Sequence, residues 1–367
     1  MKIKSILLII LSLSIFISCK KEEKKISTKP AYTPREIKNI TLQKFDHKKF
    51  GLKNLSSIRA IELVGKTAFF IAEDSKIYAF YPNGNFLITP NDFFGDKKPV
   101  FRAGAHSNDK LYALSIESPT LLYQITMNKK DGLVNPKIVY TENNEKSFYD
   151  AMAFFDDDNG IAIGDPTDNC LSIILTHDGG NSWQKIACNN LPKLIEGEAA
   201  FAASNTNIAI QGKEAWIITG GMESRVLHTK DLGKTWNITN TPMISGTTST
   251  GGYSIAFNDK NNGIICGGDY LNKQGNTANK LLTEDGGKTW KTVANGLYPG
   301  YISCVQYVPN TDGKELFAVS TEGIYFSNTG GNSWIRVHKE GYYTIKFIDK
   351  NTAWLAGDGK IAKLVLK

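Results

Sequence analysis

The sequence predicts an all-β fold, a seven-bladed β-propeller of four-stranded antiparallel blades closed by an N-terminal strand. Two repeated patterns predict it: an eight-residue turn motif that ends in Trp, and a strand–turn–strand pattern that precedes the motif along the chain. The composition suits a folded domain, since 41% of the residues are hydrophobic, 33 are Gly and only five are Cys. These values exclude disordered, collagen-like and disulfide-dense chains.

The turn motif occurs four times without gaps and contains four of the six Trp residues. Its Trp residues, at positions 183, 236, 290 and 334, lie 53, 54 and 44 residues apart. A period of this size is typical of proteins built from repeated units. The four copies are THDGGNSW (176–183), TKDLGKTW (229–236), TEDGGKTW (283–290) and SNTGGNSW (327–334).

The second pattern occurs at residues 154–165, 257–269 and 347–358. Each copy reads as a strand, a turn of Asn, Asp and Gly, a second strand and then Gly-Asp, apart from small differences in length. Together with the turn motif, it defines a repeat of four strands, A to D, in which the turn motif joins strand C to strand D. Four antiparallel strands in about 45 residues form a propeller blade.

Counting first strands gives seven blades. The last blade offers only three strands before the chain stops, and the segment 40–45 is a spare strand at the other end. We expect this strand to complete blade seven, because an open ring would leave an unpaired edge. The blades are predicted to start near Ile58, Val100, Tyr149, Ala199, Tyr253, Ile302 and Tyr343.

The N-terminus has the three regions of a secretory signal. Lys2 and Lys4 precede an apolar run from Ile6 to Ile17, which is followed by Ser18 and Cys19. The run is too short for a transmembrane helix, which needs roughly 20 residues.

The segment Phe16-Ile17-Ser18-Cys19 resembles the lipobox of bacterial lipoproteins. The resemblance implies a signal peptide over 1–18, an acylated Cys19 that begins a flexible tether over 19–38, and a propeller domain over 39–367. Residues 20–23, Lys-Lys-Glu-Glu, are similar to the signal that sends some lipoproteins to the outer face of the outer membrane. We therefore expect a lipid-anchored envelope protein that is exposed on the cell surface.

The formal net charge of +7 lies mainly outside the predicted propeller. The signal peptide contributes two positive charges, and residues 20–38 contribute seven Lys or Arg against three Glu. The remaining residues 39–367 therefore carry about +1 in total. A nearly neutral domain does not produce the field that attracts nucleic acid, so no nucleic-acid partner is expected.

The turn motif resembles the Asp-box, or bacterial neuraminidase repeat, and the blade spacing resembles that of the photosystem II stability and assembly factor-like propellers. Chemically, the motif's Asp accepts backbone N–H groups across the turn, and its Trp covers the blade interior. We expect structural roles for Asp178, Asp231 and Asp285, and for Trp183, Trp236, Trp290 and Trp334. The last copy has Thr329 in place of Asp.

Cys170 and Cys188 are equidistant from Gly179 at the centre of a predicted hairpin turn. Opposed positions on an antiparallel hairpin come within disulfide range, and an envelope compartment permits the bond. Cys266 and Cys304 fall inside apolar strands and are expected to be buried thiols. No Cys/His metal spacing occurs, so neither a metal nor a cofactor is expected.

Propellers bind ligands in the funnel formed by the loops after strands B and D. Three B strands end in Gly-Asp and place Asp165, Asp269 and Asp358 there. The longest of these loops carry Glu196, Glu198 and Tyr270. Three of the five Arg residues are added as candidates because a polar ligand needs such groups on one rim. The ligand-binding candidates are Arg59, Arg102, Asp165, Glu196, Glu198, Arg225, Asp269 and Tyr270.

Two functions fit these residues. The assembly-factor resemblance implies a non-catalytic binding or assembly module for a protein or glycan partner, and we expect the protein to be a monomer. The alternative is a sialidase-like glycoside hydrolase, which requires three converging Arg and a Tyr–Glu pair. Converging Arg favour catalysis, whereas a broad rim with aromatic patches favours binding. An oxidoreductase is unsupported, because no dinucleotide or haem motif occurs.

Overall fold

The computed structural model describes residues 32–37, 40–128 and 132–366. The chain divides into two units, 1–33 and 34–367, and only residues 32 and 33 of the first are described. The predicted signal peptide and Cys19 lie outside the described residues. In the described part, no helix is long and apolar enough to span a bilayer.

The second unit is a ring of seven antiparallel blades of four strands each, and two short extra strands extend the sheet of blade five to six strands. The predicted fold class is confirmed. It begins with β1 (Ile40–Lys44). Blade one contains β2 (Ile58–Val64), β3 (Thr67–Ala72), β4 (Ile77–Phe80) and β5 (Phe86–Ile88). Blade two contains β6 (Phe101–Ser107), β7 (Lys110–Ser115), β8 (Thr120–Asn128) and β9 (Gly132–Glu142). Blade three contains β10 (Tyr149–Phe154), β11 (Gly160–Gly164), β12 (Ser172–Thr176) and β13 (Gln184–Lys185).

The remaining blades follow in chain order. A short strand β14 (Glu198–Ala199) precedes blade four, which contains β15 (Ile208–Gln211), β16 (Glu214–Ile218), β18 (Arg225–Thr229) and β19 (Asn237–Asn240). Between them, β17 (Gly220–Gly221) pairs with β14 and joins the sheet of blade five, β20 (Thr250–Phe257), β21 (Gly263–Asp269), β22 (Lys280–Thr283) and β23 (Lys291–Thr292). Blade six contains β24 (Cys304–Tyr307), β25 (Leu316–Ser320), β26 (Gly323–Ser327) and β27 (Ile335–His338). Blade seven contains β28 (Thr344–Asp349), β29 (Thr352–Gly357) and β30 (Lys360–Leu366).

The ring closes as predicted, because β1 is the outer strand of blade seven. Its sheet has the order β1–β30–β29–β28, with Ile40 opposite Leu366 and Lys44 opposite Ala362. Each blade thus presents strand A to the central channel and strand D to the outside. The loops after strands B and D form one face, here called the loop face, and the A–B and C–D turns form the opposite turn face.

Residues that precede β1 also belong to the folded body. Ile37 is buried among hydrophobic residues of blades six and seven. Arg35 donates from its backbone N, Nε and Nη2 to the fully buried carboxylate of Glu315, over 2.6–3.2 Å. The compact unit therefore begins at Pro34, five residues before the expected boundary at 39.

The turn motifs share one hydrogen-bond pattern. In the second copy, Asp231 accepts from the backbone N of Thr235 at 2.9 Å and from its hydroxyl at 2.7 Å, and the Thr229 hydroxyl accepts from Gly233 N at 3.0 Å. Asp178 and Asp285 make the equivalent bonds. Burial by itself raises the pKa of Asp285, but the hydrogen bonds that its carboxylate accepts lower the pKa to about 2.

The fourth copy keeps this geometry without the carboxylate. The Thr329 hydroxyl accepts from Ser333 N at 2.9 Å, and Ser327 accepts from Gly331 N at 2.9 Å. Trp183, Trp290 and Trp334 are buried, and Trp236 is partly buried against the core between blades three and four.

Cys170 and Cys188 form a disulfide, with Cα atoms 5.6 Å apart. The bond joins the loop before β12 to a short 3-10 turn, Cys188–Asn190, that follows β13. A second 3-10 turn, His47–Phe50, follows β1. Cys266 and Cys304 are buried free thiols, and burial raises the pKa of Cys266 to about 12.

Blade four starts later than expected. Its first strand was placed near Ala199, but the strand that lines the channel is β15, which begins at Ile208. Residues 198–199 instead pair with β17 on the loop face. The residues between them enter the channel itself, and this position creates the candidate site.

Candidate functional site

Residues 203–206, here called the plug, cross the central channel. They contact the inner strand, or the residue before it, in all six other blades. Partners on one side are Arg59, which donates to Ala203 O at 3.2 Å, and Gly104 and Met152, whose N–H groups donate to Asn205 Oδ1. Partners on the other side are Ser254, Ser303 and Thr344.

The plug separates two cavities. The loop-face cavity, here called the funnel, has a volume of about 520 Å³ and is bounded below by residues 199–203. The turn-face cavity, of about 400 Å³, is bounded by Asn205, Thr206 and Ile208. A ligand that enters from either face therefore meets a closed end rather than an open pore.

Strand A bulges direct side chains into the funnel. In blades one, two, three and five, the pairing register between strands A and B shifts at one residue, namely Arg59, Arg102, Asp150 and Tyr253. A bulge places an extra residue opposite one partner and re-aims its side chain. All four residues line the funnel.

The two Arg side chains share one carboxylate. Arg102 Nε lies 3.0 Å and Arg59 Nε 3.5 Å from Glu73 Oε1. Arg59 also lies over the ring of Tyr343, with 4.2 Å between Cζ and the ring centroid. These contacts fix both guanidinium groups at one side of the funnel wall.

Aromatic rings form much of the remaining wall. Phe201 and Tyr253 stack in parallel with centroids 4.3 Å apart, and Tyr301 meets Tyr253 edge-on at 4.9 Å. Tyr270 lies at the mouth and is 43% exposed. Aromatic walls of this kind supply contact area at a low cost in side-chain entropy.

Asp150 is the one funnel carboxyl that is fully buried, and neither of its oxygens has a hydrogen-bond partner in the described part of the chain. Burial and the nearby Asp165 raise its pKa well above the usual value, and Arg102 opposes this shift. Burial also raises the pKa of Asp165 to about 6, although its Oδ1 accepts from Ala200 N at 3.1 Å. The two carboxyls therefore retain protons at a pH where exposed Asp is ionised.

A second depression continues the funnel outward. This side cleft, of about 820 Å³, shares Asp165, Ala199 and Thr248 with the funnel and is also lined by the exposed Glu196. An elongated ligand can therefore extend from the funnel across blade three.

Glu198 and Arg225 do not face the funnel. They form a buried ion pair in which Arg225 Nε lies 3.1 Å from both Glu198 oxygens, and Arg225 also donates to Lys193 O. Glu198 further accepts from Thr219 and from Ile195 N. This pair holds the long loop before blade four, so three Arg do not converge as the sialidase hypothesis requires.

The structure thus divides the sequence-derived candidates. Arg59, Arg102, Asp165 and Tyr270 line the funnel, and Glu196 and the buried Glu198 line the side cleft. Asp269, half-buried at the end of β21, accepts from Leu271 N and lines neither cavity. Sequence reasoning missed Asp150, although Arg59, Arg102 and Asp150 each precede an Ala in strand A, a signal that aligns them.

Exposed apolar side chains cluster on the loop face. Of the nine large hydrophobic residues found exposed in the described part, six lie on B–C or D–A loops around blades three to six. Such a rim is typical of a surface that binds another macromolecule. The six are Ile195, Met222, Tyr270, Leu271, Leu297 and Tyr298.

The turn-face cavity has a different character. Glu62 is buried and accepts from Lys346 Nζ at 2.7 Å, with His106 Nδ1 at 2.9 Å from its other oxygen. Burial by itself raises the pKa of Glu62, but the neighbouring Lys346 and His106 keep this pKa below its usual value. Within the described residues, no group of three or more His, Cys, Asp or Glu is placed to hold a metal ion.

Fold and site together define a seven-bladed β-propeller with a plugged channel and a ligand-sized funnel on its loop face. Residues 137–248 match the family described as photosynthesis system II assembly factor YCF48. A search of curated proteins finds no significant match. The chain is therefore similar to YCF48 within blades two to four.

Solved structures extend the similarity to the whole ring. A structure of YCF48 bound to D1 peptide has a TM-score of 0.63 at 11% identity, and covers 93% of this chain and 100% of its own. YCF48 from Cyanidioschyzon merolae has a TM-score of 0.58 at 14% identity, and the match covers 88% of this chain and 98% of that one. The WD40 repeats of RRP9 have a TM-score of 0.61 at 12% identity, and the match covers 90% of this chain and 100% of that one. At these identities the likeness concerns the fold alone.

Proposed function

We propose that this protein is a non-catalytic binding propeller that holds a segment of a client protein in the funnel and side cleft. The observation that carries the proposal is the closed, aromatic funnel at the centre of an exposed apolar rim. The plug stops a chain segment from threading through, while the side cleft lets it lie across the face. The structure of YCF48 with a D1 peptide is a precedent for a propeller of this shape with a peptide ligand.

The rim favours a protein client over a glycan. Leu271 is 74% exposed and Leu297 57% exposed, and aliphatic side chains offer little to a sugar but pack well against apolar residues of a protein. Catalysis of the sialidase type is disfavoured, because it requires three converging Arg and Arg225 instead forms an ion pair with Glu198 outside the funnel.

Peptide display on the immobilised full-length chain tests the proposal. We expect wild type to select peptides, and Tyr270→Ala to weaken the selected peptides by about tenfold or more, since a Tyr at an interface centre is a typical hot spot. Ile335→Ala, at an exposed position on the outer strand of blade six, is the control. Failure to select peptides, or equal loss in both variants, would contradict the proposal.

We further propose that the propeller is anchored through an acylated Cys19 and displayed at the cell surface. The lipobox-like segment 16–19 and the following Lys-Lys-Glu-Glu support this placement. Labelled palmitate should enter wild type but not Cys19→Ala. Protease added to intact cells should then degrade the protein, and full protection of the labelled protein would exclude the outward-facing orientation.

A further inference from the structure

A buried carboxyl without hydrogen-bond partners indicates what kind of ligand group the funnel receives. Asp150 is fully buried, lines the cavity, and has both carboxyl oxygens without a hydrogen-bond partner among the described residues. A buried polar group left without a partner is destabilising, so a ligand atom that donates a hydrogen bond to it relieves that cost on binding. The bulge places Asp150 between two paired residues, Tyr149 and Ala151, and so fixes the backbone from which the carboxyl projects.

The charges around Asp150 favour a cationic donor over a neutral one. Arg59, Arg102 and Lys273 line the funnel together with the carboxyls of Asp150 and Asp165. Two further carboxylates lie beside these cations: Glu73 contacts both Arg side chains, and Glu322 lies 3.8 Å from Lys273. When all seven groups are ionised, three positive charges stand against four negative ones. One negative charge is therefore uncompensated. The charged groups that face this end of the funnel are Asp165 from the same blade, Arg102 from blade two, and Arg59 and Glu73 from blade one.

Both Arg side chains already have protein partners, although Arg59 Nε itself makes no hydrogen bond among the described residues. Arg102 is bonded to Glu73, and Arg59 is held by Ala203 O, Glu73 and the Tyr343 ring. Aromatic faces from Tyr253, Tyr301 and Phe201 line the same cavity, and ring faces attract cations. A carboxyl behind aromatic rings is a suitable receptor for an ammonium or guanidinium group.

We propose that the deep end of the funnel is a cation subsite, in which Asp150 binds the amine or guanidinium of a Lys or Arg side chain of the client. This deepens the proposed function and rests on it for the identity of the ligand as a peptide. On binding, the O–H bond of the Asp150 carboxyl breaks, its proton leaves to solvent, and the ligand N–H donates to the resulting carboxylate. Asp165 adds negative charge near the bound cation, and the aromatic wall excludes water from it.

Side-chain analogues test the subsite without any client. Calorimetric titration of the full-length chain with n-butylguanidinium and n-butylammonium, against n-butanol as the neutral analogue, should show both cations binding at least tenfold more tightly than the alcohol at pH 8. Their affinity should fall toward pH 5, and buffers of different ionisation enthalpy should report proton release.

Asp150→Asn keeps the shape of the side chain and removes its charge. We expect at least a tenfold loss of butylguanidinium affinity in this variant and no change in Asp157→Asn, an exposed carboxyl at the turn face. Because Asp150→Asn can also disturb folding, the cation-to-alcohol comparison on wild type stands as an independent measurement. Equal binding of cation and alcohol, or undiminished cation binding by a folded Asp150→Asn, would overturn the subsite.

The two proposals fail separately. In one test, every Lys and Arg of the peptides selected by wild type is replaced by norleucine. If these peptides bind as tightly as before, the binding function stands and the cation subsite is refuted. Cation binding without any selected peptide supports the subsite and refutes the peptide-binding function.

Discussion

Replacing Arg35 tests whether residues before the predicted domain boundary stabilise the propeller. Arg35→Ala removes the guanidinium that donates to Glu315, a carboxylate whose side chain is fully buried, as well as its bonds to Asn351 and Lys350 O. Breaking a buried ion pair costs about 3–5 kcal/mol because one charge stays in a low-dielectric environment. The Arg35 side chain is 28% exposed, so we expect a loss near the lower end.

Thermal unfolding measures this loss. At about 2.1 cal/mol/K per residue, a unit of 334 residues (34–367) has an unfolding entropy of about 0.7 kcal/mol/K, so 3–5 kcal/mol lowers the midpoint by about 4–7 °C. Arg336→Ala, which removes an exposed Arg from β27, is the matched control and should change stability by less than about 0.5 kcal/mol. If Arg35→Ala unfolds at the wild-type midpoint, residues 34–37 belong to the tether and the boundary at 39 is right.

Three further predictions concern closure, the disulfide and the acid pair. Deleting residues 39–46 should lower the unfolding midpoint further than Arg35→Ala does, since β1 is the outer strand of blade seven; an unchanged midpoint would refute closure by this strand. Cys170→Ser should cost about 3 kcal/mol in urea unfolding, as expected for a bond that closes a loop between residues 18 apart, and reductant should destabilise wild type but not the variant. Burial raises the pKa of Asp165 to about 6, so the stability from its bound proton is complete below about pH 4 and is lost as the pH rises through 6. Asp165→Asn should therefore be more stable than wild type at pH 8 and show no such gain at pH 4 in thermal melts; an equal gain at both pH values would contradict the assignment.

The fold could be predicted from the sequence because the turn motif and the strand–turn–strand pattern repeat along the chain. The turn motif recurs because each blade needs the same tight C–D connection, and the hydroxyl of Thr329 shows that the geometry survives loss of the carboxylate. Closure by residues 40–45 followed from counting strands. Blade four was misplaced because residues 198–199 pair with β17 on the loop face and residues 203–206 bind the channel walls. No local sequence pattern indicates either contact.

The sequence by itself determined the ring of seven four-stranded blades and its closing strand, because these depend on local patterns that repeat along the chain. Only the tertiary structure decided which polar residues meet. The funnel takes single residues from different blades, such as Arg59, Arg102 and Asp150, through bulges, and it excludes Arg225 because Glu198 neutralises that side chain in a nearby loop. The physical reason is that a propeller brings positions tens of residues apart to a common axis, where burial and charge act across blades rather than along the chain.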